Sequence, residues 1–439
     1  MPPVIPGHNL LHDLPGFWLQ QEPAPDAVIL DQAGIAAHNQ QLRQMRHHAM
    51  PSGRWDLRRL ELDMQQVRRA WQLKLQLLRR SVGSGARVTA DGKRPTALLD
   101  RLQQEMGHAA AVDEMRVVRG ELPLRCYPAE EGLYEQAADG SALVAFDLAQ
   151  CAQLRTGEPV RVLAQGRTHW YVWSTYGHGW VRPQSLTPKL SEAQVREFLE
   201  PDHFVVVQRD RVALWADPEG KGLLGMLRLG TRLPLQEQTA KGLRVTAPGT
   251  SGLTPAWLLQ PAAVSVDSYP PFTRRNVLER AFSLLDSPYG WGGLGGHRDC
   301  SRLMMDLFAA FGIELPRNSR NQSEAGLRHV ELTGIDAAGR REAILRAASQ
   351  GIVLLYLPGH IMLYVGDDDG LHALHQFSGY LVPCTGASTG KPRETMVRVN
   401  RTAVTSLELG RGSSRTAFIE RITRLVVLAP LTTPERGAH

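Results

Sequence analysis

The stretch that decides the fold of the C-terminal third is residues 289–303, which read YGWGGLGGHRDCSRL. A glycine-rich loop comes first, and an amphipathic helix is predicted over residues 301–311, ended by Gly312. Cys300 therefore lies where a loop becomes a helix, and unpaired backbone N–H groups and the helix dipole there favour a negative charge. A thiol at this position is expected to lose its proton more readily, and the thiolate is the nucleophile. The alternative for Cys300 is a small buried apolar side chain.

Two downstream histidines could act with this cysteine, because a cysteine nucleophile needs a base that a third group orients. Residues 352–356 predict a buried strand, His360 precedes a second predicted strand of this type over Ile361–Val365, and His375 lies in the next predicted strand. Adjacent antiparallel strands would set the two imidazoles side by side, so that one fixes the tautomer of the other. His372 is the alternative for the third position. The alternative for any one of these histidines alone is an ordinary core or surface residue.

An ordered set of motifs runs through this part of the chain: Tyr289–Gly293, Asp299–Ser301, Leu315–Ser319 with Gln322, and Gly359–Tyr364. On these motifs, residues 276–430 resemble the NlpC/p60 peptidase domain, a papain-like fold of bacterial cell-wall hydrolases. The sequence departs from the common family pattern at Arg302, where a glycine usually follows Cys-Ser.

The resemblance implies a γ-D-glutamyl-L-diamino acid endopeptidase, which cuts the stem peptide of peptidoglycan between D-Glu and the diamino acid. In that case Cys300 is the nucleophile, His360 the base and His375 the orienting third residue. No metal or organic cofactor is expected. The implied partners are peptidoglycan or muropeptides.

The same resemblance suggests how substrate is bound. Related enzymes recognise a free L-Ala amino group, and Asp299 would receive this ammonium, with Ser301 and Ser319 nearby. A carboxylate suits a cationic N-terminus, although Asp299 is also a plausible helix N-cap and both roles are compatible. Arg317 either binds a substrate carboxylate or carbonyl through its planar fork or braces its loop.

Upstream, two sets of short alternating runs predict strands separated by turns. Residues 154–160 (LRTGEPV) and 227–233 (LRLGTRL) share a phrase, which indicates a weak internal repeat of two small β-barrels. Residues 190–200 predict a short helical linker with Ser191 as its cap.

The chain as a whole looks like a subfamily with an N-terminal helical clip, two bacterial SH3-type barrels and the peptidase last. This implies a multidomain protein: a helical clip region over residues 1–112, a first all-β SH3-like barrel over 113–190, a second over 191–265, and an α+β papain-like NlpC/p60 domain over 266–439. The two barrels either shape the active-site groove or bind cell wall.

One feature of the first barrel bears on substrate. Phe146–Gln150 followed by Gly157–Pro159 fits the first barrel of this subfamily, which places a tyrosine over the substrate end. Tyr176 is the candidate, with Tyr134 and Tyr171 as alternatives. An ordinary barrel aromatic is the other interpretation of Tyr176.

The N-terminal region predicts no site. Residues 1–25 are rich in Pro and Gly and predict an extended arm. Residues 54–80 predict a helix, and Pro95 opens a second one. The apolar face of the first helix comprises Leu60, Met64, Val67, Trp71 and Leu78.

Composition excludes several classes of protein. The chain has 439 residues, of which 43% are hydrophobic and 21% charged, so it is not mainly disordered. No run of 18 apolar residues predicts a membrane-spanning helix. Four cysteines without a CxxC pair predict neither a disulfide framework nor a zinc ribbon. The start lacks the regions of a signal peptide, which leaves a cytoplasmic protein or one whose leader was removed; the substrate class points to the periplasm or cell envelope.

Charge raises one further possibility. The net charge is +6, and residues 41–80 alone hold ten Lys or Arg and three Asp or Glu, a local excess of +7. A solvated helix face is favoured over an anionic polymer as the explanation, and no nucleic-acid partner is expected. The rival functions are an amidase or acyltransferase with the same Cys-His pair, and a non-catalytic wall-binding protein. The sequence is silent on the oligomeric state.

Overall fold

The structure, a computed structural model, describes residues 5–44, 63–137, 139–325, 328–383 and 394–430. Within this part of the chain, none of the helices is both long and apolar enough to cross a membrane.

The N-terminal residues form short helices that pack onto the C-terminal part of the chain. Their elements are a 3₁₀ helix (Leu10–Asp13), α1 (Pro15–Leu19), β1 (Val28–Leu30) and α2 (Gln32–Gln44). The prediction of an extended arm over residues 1–25 is therefore wrong for residues 10–19. The Asn9 side chain caps the 3₁₀ helix, and Pro15 is the first residue of α1, where its missing N–H costs nothing. Trp18 is buried in the core that also contains Phe308.

Two longer helices follow, α3 (Met64–Gly83) and α4 (Thr96–His108). The predicted helix over residues 54–80 begins at Met64 and is capped by Asp63, whose side chain accepts from the N–H of Gln65. The predicted face residue Leu60 lies outside the described residues. The apolar faces of both helices are buried against the first β-sheet. The second helix begins directly after Pro95, as predicted.

The first sheet is antiparallel and has the strand order β3-β7-β8-β9-β4-β6. Its strands are β3 (Ala110–Val117), β4 (Leu122–Arg125), β6 (Gln150–Leu154), β7 (Pro159–Gln165), β8 (Trp170–Ser174) and β9 (His178–Val181). A small ladder beside it pairs β2 (Arg87–Val88) with β5 (Tyr134–Glu135). A disulfide joins Cys126, just after β4, to Cys151 on β6. The antiparallel β4–β6 pairing brings these two strands together, which places the two cysteines within bonding distance.

The second sheet follows a short linking helix, α5 (Glu192–Leu199), which Ser191 caps as predicted. The strand order is β12-β11-β15-β14-β13-β10-β16. The strands are β10 (Phe204–Val207), β11 (Val212–Trp215), β12 (Leu223–Leu227), β13 (Arg232–Thr239), β14 (Gly242–Gly249), β15 (Gly252–Leu258) and β16 (Val264–Val266).

The two sheets share one topology, which supports the internal repeat. Read from the first strand of each, β3-β7-β8-β9-β4-β6 matches β10-β13-β14-β15-β11-β12, and the second sheet adds β16. The shared sequence phrase forms equivalent turns, in which Gly157 and Gly230 have φ of 85° and 78°. Glycine suits these positions because it adopts positive φ without strain. No pairing between the described strands joins the two ends of either sheet, so closed SH3-like barrels are not confirmed.

The C-terminal part is α+β, as predicted. Its central sheet has the order β18-β23-β19-β20-β21-β22, with strands β18 (Arg328–Glu331), β19 (Ile352–Leu357), β20 (His360–Asp367), β21 (Leu371–Pro383), β22 (Glu394–Ser406) and β23 (Arg424–Leu428). The helices are α6 (Arg274–Phe282), α7 (Cys300–Ala309), α8 (Ser319–Glu324), α9 (Ala337–Ala348) and α10 (Phe418–Arg421). β17 (Phe272–Thr273) pairs with β1, which ties the N-terminal segment to this part of the chain.

Alternate residues of the central sheet belong to two separate cores. Leu354 and Leu363 pack with α6 and α7 on one face, whereas Leu355 and Met362 pack with α9 and α10 on the other. Because side chains of a strand alternate between faces, the predicted buried strands at 352–356 and 361–365 serve both cores at once. α7 is held in this way against β20 and β21.

Candidate active site

Cys300 is the first residue of α7 and is buried. Asp299 is the N-cap residue, and its carboxylate accepts from the backbone N–H of Arg302 at 2.8 Å. The backbone N–H groups of Ile361 and Ser301 both favour the charged form of the Cys300 sulfur and so act to lower its pKa. Ile361 follows His360, the first residue of β20, so the thiol lies near the start of the strand that carries the candidate base.

The protonation of the free site differs from the expectation of an easily ionised thiol. Burial raises the pKa of Cys300 to about 12, and the Asp299 carboxylate adds to the increase. The Ile361 N–H and the Arg317 guanidinium oppose this increase but do not outweigh it. Burial and the positive charge of Arg421 lower the pKa of His360 to about 4. At neutral pH the site thus holds a thiol and a neutral imidazole.

The two imidazoles form a hydrogen-bonded chain. His360 Nε2 lies 2.7 Å from His375 Nδ1, and His375 Nε2 lies 3.0 Å from Thr405 Oγ1. Burial holds the pKa of His375 well below its usual range, so this ring is neutral. It stacks on Phe377, with ring centres 4.2 Å apart. With Nε2 of His360 engaged, Nδ1 is the nitrogen left to accept a proton from the thiol.

His372, the alternative third residue, faces the other side of the sheet. Its ring centre lies 4.5 Å from that of His12 and 5.3 Å from that of Trp18, and its Nδ1 bonds the Gly370 carbonyl at 2.8 Å. His372 and His375 are three positions apart, an odd number, so strand alternation puts them on opposite faces. Of the two candidates, only His375 contacts His360.

The Asp299 carboxylate is surrounded by donors. Arg317 binds it through both terminal nitrogens, at 3.0 Å and 2.7 Å. The Ser301 hydroxyl and the backbone N–H groups of Arg302 and Gly292 complete the set, at 3.1, 2.8 and 3.2 Å. Burial acts to lower the pKa of Arg317, but the Asp299 carboxylate outweighs it and raises that pKa. Arg317 thus braces Asp299 rather than pointing freely into the site.

The remaining predicted residues on α8 are buried beside this cluster. Ser319 is the first residue of α8, after its cap Asn318. The Gln322 side chain donates to the carbonyls of Ser301 and Pro316, each at 2.8 Å, which ties α8 to the start of α7. Among the described residues, no group of three or more His, Cys, Asp and Glu side chains is arranged to hold a metal ion.

The first sheet covers the glycine-rich loop. Gln150 donates from its side chain to the Gly292 carbonyl at 3.3 Å. The Phe146 ring meets those of Trp291 and Tyr289, with centres 5.3 Å and 6.3 Å apart. A Cβ on Gly292, whose φ is 60°, would approach the Gln150 side chain to 2.8 Å, so glycine permits this close contact.

Tyr176 and Arg302 lie in contact where the first sheet packs against the start of α7. The Tyr176 hydroxyl donates to the Gln153 carbonyl at 2.9 Å, and Arg302 Nη1 donates to the same oxygen at 3.1 Å. The Arg302 guanidinium carbon lies 5.2 Å from the centre of the Tyr176 ring. Arg302, the departure from the family pattern, therefore joins α7 to the first sheet. Tyr134 lies on β5, and Tyr171 bonds His178 Nδ1 at 2.6 Å in the core under α3.

Sequence reasoning missed Thr405, Phe418 and Arg421 near the two histidines. The Phe418 ring centre lies 6.0 Å from that of His360 and 5.3 Å from that of His375. No spacing signal marks these residues, because they come from β22 and α10. The β21–β22 pairing, which sets His375 opposite Ala403, would have pointed to Thr405.

Comparison with known proteins identifies the family of the C-terminal part of the chain. The model of the NlpC/P60 family matches residues 286–399. A solved structure described as a novel NlpC/P60 endopeptidase from Photobacterium damselae subsp. piscicida has a TM-score of 0.72 at 15% identity, over 98% of this chain and 99% of that one. The C-terminal part of the chain is an NlpC/P60 domain, and the fold of the whole chain is shared with that structure.

Curated relatives match over shorter spans. A gamma-D-glutamyl-L-lysine dipeptidyl-peptidase of Bacillus cereus is 26% identical over 203 residues, which are 44% of this chain and 56% of the relative. Peptidoglycan endopeptidase RipB of Mycobacterium tuberculosis is 30% identical over 164 residues, which are 33% of this chain and 61% of the relative. The chain thus spans less than two thirds of either relative.

Proposed function

We propose that this protein is a cysteine peptidase that cuts the γ-D-Glu–L-diamino acid bond of muropeptides with a free N-terminal L-Ala. The observation that carries the proposal is the arrangement around Cys300. The thiol lies at the start of α7, the backbone N–H of the residue after His360 favours a negative charge on its sulfur, and His360 is hydrogen-bonded to His375. This arrangement stands in an NlpC/P60 domain.

The relatives support the class of substrate. One is named for hydrolysis at γ-D-glutamyl-L-lysine, and another as a peptidoglycan endopeptidase. We propose action in the periplasm or cell envelope, because the proposed substrate derives from peptidoglycan; the alternative is a cytoplasmic role in recycling muropeptides. We propose peptidoglycan or its muropeptides as the partner on the same grounds.

In the acylation step, Nδ1 of His360 accepts the Cys300 thiol proton as the sulfur attacks the γ-carbonyl carbon of D-Glu. The new C–S bond forms and the carbonyl becomes an oxyanion. The backbone N–H of Cys300, at the start of α7, is proposed as one of its donors, because helix N-termini stabilise negative charge. The C–N bond then breaks, and the His360 imidazolium gives its proton to the leaving amine.

Deacylation reverses these roles with water. His360, neutral again, takes a proton from a water molecule that attacks the thioester carbonyl. The C–S bond breaks, the thiolate takes back the proton from His360, and L-Ala-D-Glu leaves. The neutral thiol and imidazole of the free site are thus restored, with no cofactor in either step.

Recognition of the free amine is proposed to involve Asp299, with Ser301, Ser319 and Tyr176 lining the same end. Asp299 already receives five hydrogen-bond donors, from Arg317, Ser301, Arg302 and Gly292. A carboxylate has about four acceptor sites, so an ammonium must replace the Ser301 hydroxyl or one Arg317 nitrogen. The first sheet would close this end of the groove through Tyr176 and Phe146.

The experiment is hydrolysis of L-Ala-γ-D-Glu-diaminopimelate by the wild type and by Cys300→Ala, with products identified by mass. Release of L-Ala-D-Glu by the wild type alone is expected. The N-acetylated substrate tests the free amine: acetylation is expected to lower kcat/KM by about 100-fold, because the acetylated nitrogen carries no charge to pair with Asp299. Cleavage at another bond overturns the specificity, and no cleavage of this or longer muropeptides overturns the activity.

A further inference from the structure

Arg421 holds a positive charge close to the candidate base. Its guanidinium carbon lies 4.6 Å from the centre of the Phe418 ring, and the same ring stacks near His360, with centres 6.0 Å apart and planes 26° apart. The charge acts on both histidines, because Arg421 contributes to lowering the pKa of His360 and of His375.

This arginine is placed at some electrostatic cost. It is half-buried, and no carboxylate among the described residues lies within ion-pair distance of it. Its hydrogen bond is a long one, 3.5 Å from Nε to the Ala417 carbonyl. The adjacent carboxylate of Glu420 instead accepts from the Ala417 N–H at 2.7 Å. Burial and the nearby Arg415 both lower the pKa of Arg421.

The reaction places a particular part of the substrate beside this charge. The imidazolium of His360 must reach the nitrogen of the leaving amine to protonate it. The leaving diamino acid therefore lies on the His360 side of the scissile bond, whereas Asp299 and Tyr176 lie on the acyl side. A planar guanidinium is well suited to bind a carboxylate through two nitrogens.

We infer that Arg421 binds a carboxylate of the leaving diamino acid and so favours leaving residues that carry one. This inference rests on the proposed function and names part of its specificity. Two carboxylates fit the chemistry: the α-carboxylate of a terminal diamino acid, and the second carboxylate on the side chain of diaminopimelate. Lysine has only the first, and its ammonium would be repelled by Arg421.

The test uses four substrates that share L-Ala-γ-D-Glu and differ in the leaving residue: diaminopimelate, its α-amide, lysine and lysinamide. The last has no carboxylate on the leaving residue. The wild type is expected to show a kcat/KM about tenfold higher on diaminopimelate than on lysinamide. Arg421→Ala is expected to remove this preference, with loss on diaminopimelate and none on lysinamide, while Arg421→Lys retains part of it.

The matched control is Arg411→Ala. Arg411 lies in the connection that leads from β22 to α10, but it is exposed and pairs with Glu408. Its removal should therefore leave kcat/KM unchanged on all four substrates. If Arg421→Ala lowers kcat/KM only on the diaminopimelate and lysine substrates, which carry a free α-carboxylate, Arg421 binds that group. If it lowers kcat/KM on diaminopimelate and on its α-amide, Arg421 binds the side-chain carboxylate. If Arg421→Ala lowers kcat/KM equally on the lysinamide and diaminopimelate substrates, the inference is overturned.

A binding measurement separates this inference from the proposed activity. Calorimetry with Cys300→Ala compares Kd for the diaminopimelate and lysinamide peptides, with and without Arg421→Ala. A roughly tenfold preference that Arg421→Ala abolishes supports the inference even if the wild type cleaves nothing. Equal Kd values overturn it even if the wild type cleaves both.

Discussion

His375 Nδ1 lies 2.7 Å from Nε2 of His360. The next group in the chain is the hydroxyl of Thr405 rather than a carboxylate. A threonine hydroxyl can accept from Nε2–H of His375, which leaves Nδ1 of His375 free to accept from Nε2–H of His360. The chain therefore fixes a tautomer of His360 without contributing a negative charge to stabilise its imidazolium.

Replacing His375 should lower turnover much more than binding. His375→Phe fills the space but removes the acceptor, so we expect kcat to fall about 100-fold with little change in KM. His375→Asn, which can still accept, should retain part of the activity. Steady-state kinetics on the tripeptide substrate measures both variants.

His372→Asn is the control, because His372 lies on the same strand and faces away from His360. It should lower thermal stability by disturbing the packing against His12 and Trp18 while kcat stays near the wild-type value. A larger loss of kcat in His372→Asn than in His375→Phe would show that the third residue has been wrongly assigned.

The reactivity of the Cys300 thiol should depend steeply on pH. With its pKa raised to about 12, the thiol is protonated at pH 7, and the thiolate fraction grows about tenfold per pH unit below that pKa. Alkylation of the free enzyme by iodoacetamide should therefore be slow at pH 7 and faster by this factor at each higher pH.

The measurement is made in a Cys384→Ser background, with the modified residue located by mass, since Cys384 lies outside the described residues. A rate that is already high and flat between pH 5 and 8 would indicate a thiolate–imidazolium pair instead. The low pKa of His360, about 4, gives a matching expectation: activity should be lost as pH falls through about 4, where the base becomes protonated.

Removing Arg317 should destabilise the protein and should also make the Cys300 thiol less reactive. Arg317→Met leaves the buried Asp299 carboxylate without its ion-pair partner, at a cost of about 3 kcal/mol in the free energy of unfolding. Arg317 also opposes the raised pKa of Cys300, so its loss should slow alkylation of Cys300 at a given pH. Denaturant unfolding and alkylation rates measure the two effects.

The double variant Arg317→Met/Asp299→Asn separates charge from packing. Because it removes both members of the pair, it should recover much of the stability and reactivity lost in Arg317→Met. No recovery would mean that the guanidinium acts through its shape rather than its charge.

Arg302 should hold the first sheet against α7. Arg302→Gly restores the residue common in the family but removes the contacts with Gln153 and Tyr176 and an ion pair with Asp306 at 2.8 Å. Asp306 keeps Arg298 as a partner at 2.7 Å, so we expect a loss of about 2 kcal/mol in the free energy of unfolding. KM should rise because Tyr176, which is proposed to line the substrate groove, loses its contact with Arg302 and shifts.

Arg302→Met keeps an unbranched apolar stem without the charge and should recover part of the stability that comes from packing on Tyr176. Unfolding in denaturant and kcat/KM on the tripeptide measure the three proteins. Unchanged stability and KM in Arg302→Gly would show that the first sheet is held by other contacts.

The Cys126–Cys151 disulfide should stabilise the first sheet. It closes a loop with a sequence separation of 25 residues, for which a stabilisation of about 3 kcal/mol is expected. Reduction should lower the Tm of the wild type, and it should leave the Tm of Cys126→Ser/Cys151→Ser unchanged. Equal Tm values for the oxidised and reduced wild type would contradict this expectation.

Local patterns predicted much of the fold. The buried strands at 352–356 and 361–365, the cap at Ser191 and the helix after Pro95 follow from short runs of neighbouring residues, and each is confirmed. The arm over residues 1–25 was predicted wrongly because Pro and Gly suggest an extended chain, whereas Asn9 and Pro15 begin short helices. The two matched sheets follow the internal repeat, although closed barrels do not follow from it.

The sequence by itself determined where Cys300 and His360 lie, at the start of a helix and at the start of a strand, because caps, glycines and hydrophobic alternation act over a few residues. Only the tertiary structure decided that His375 rather than His372 meets His360, that Arg317 clamps Asp299, and that Arg302 contacts Gln153 and Tyr176. Each of these contacts joins segments far apart in the chain. Their geometry depends on which strand faces and sheet edges pack together, which no local pattern encodes.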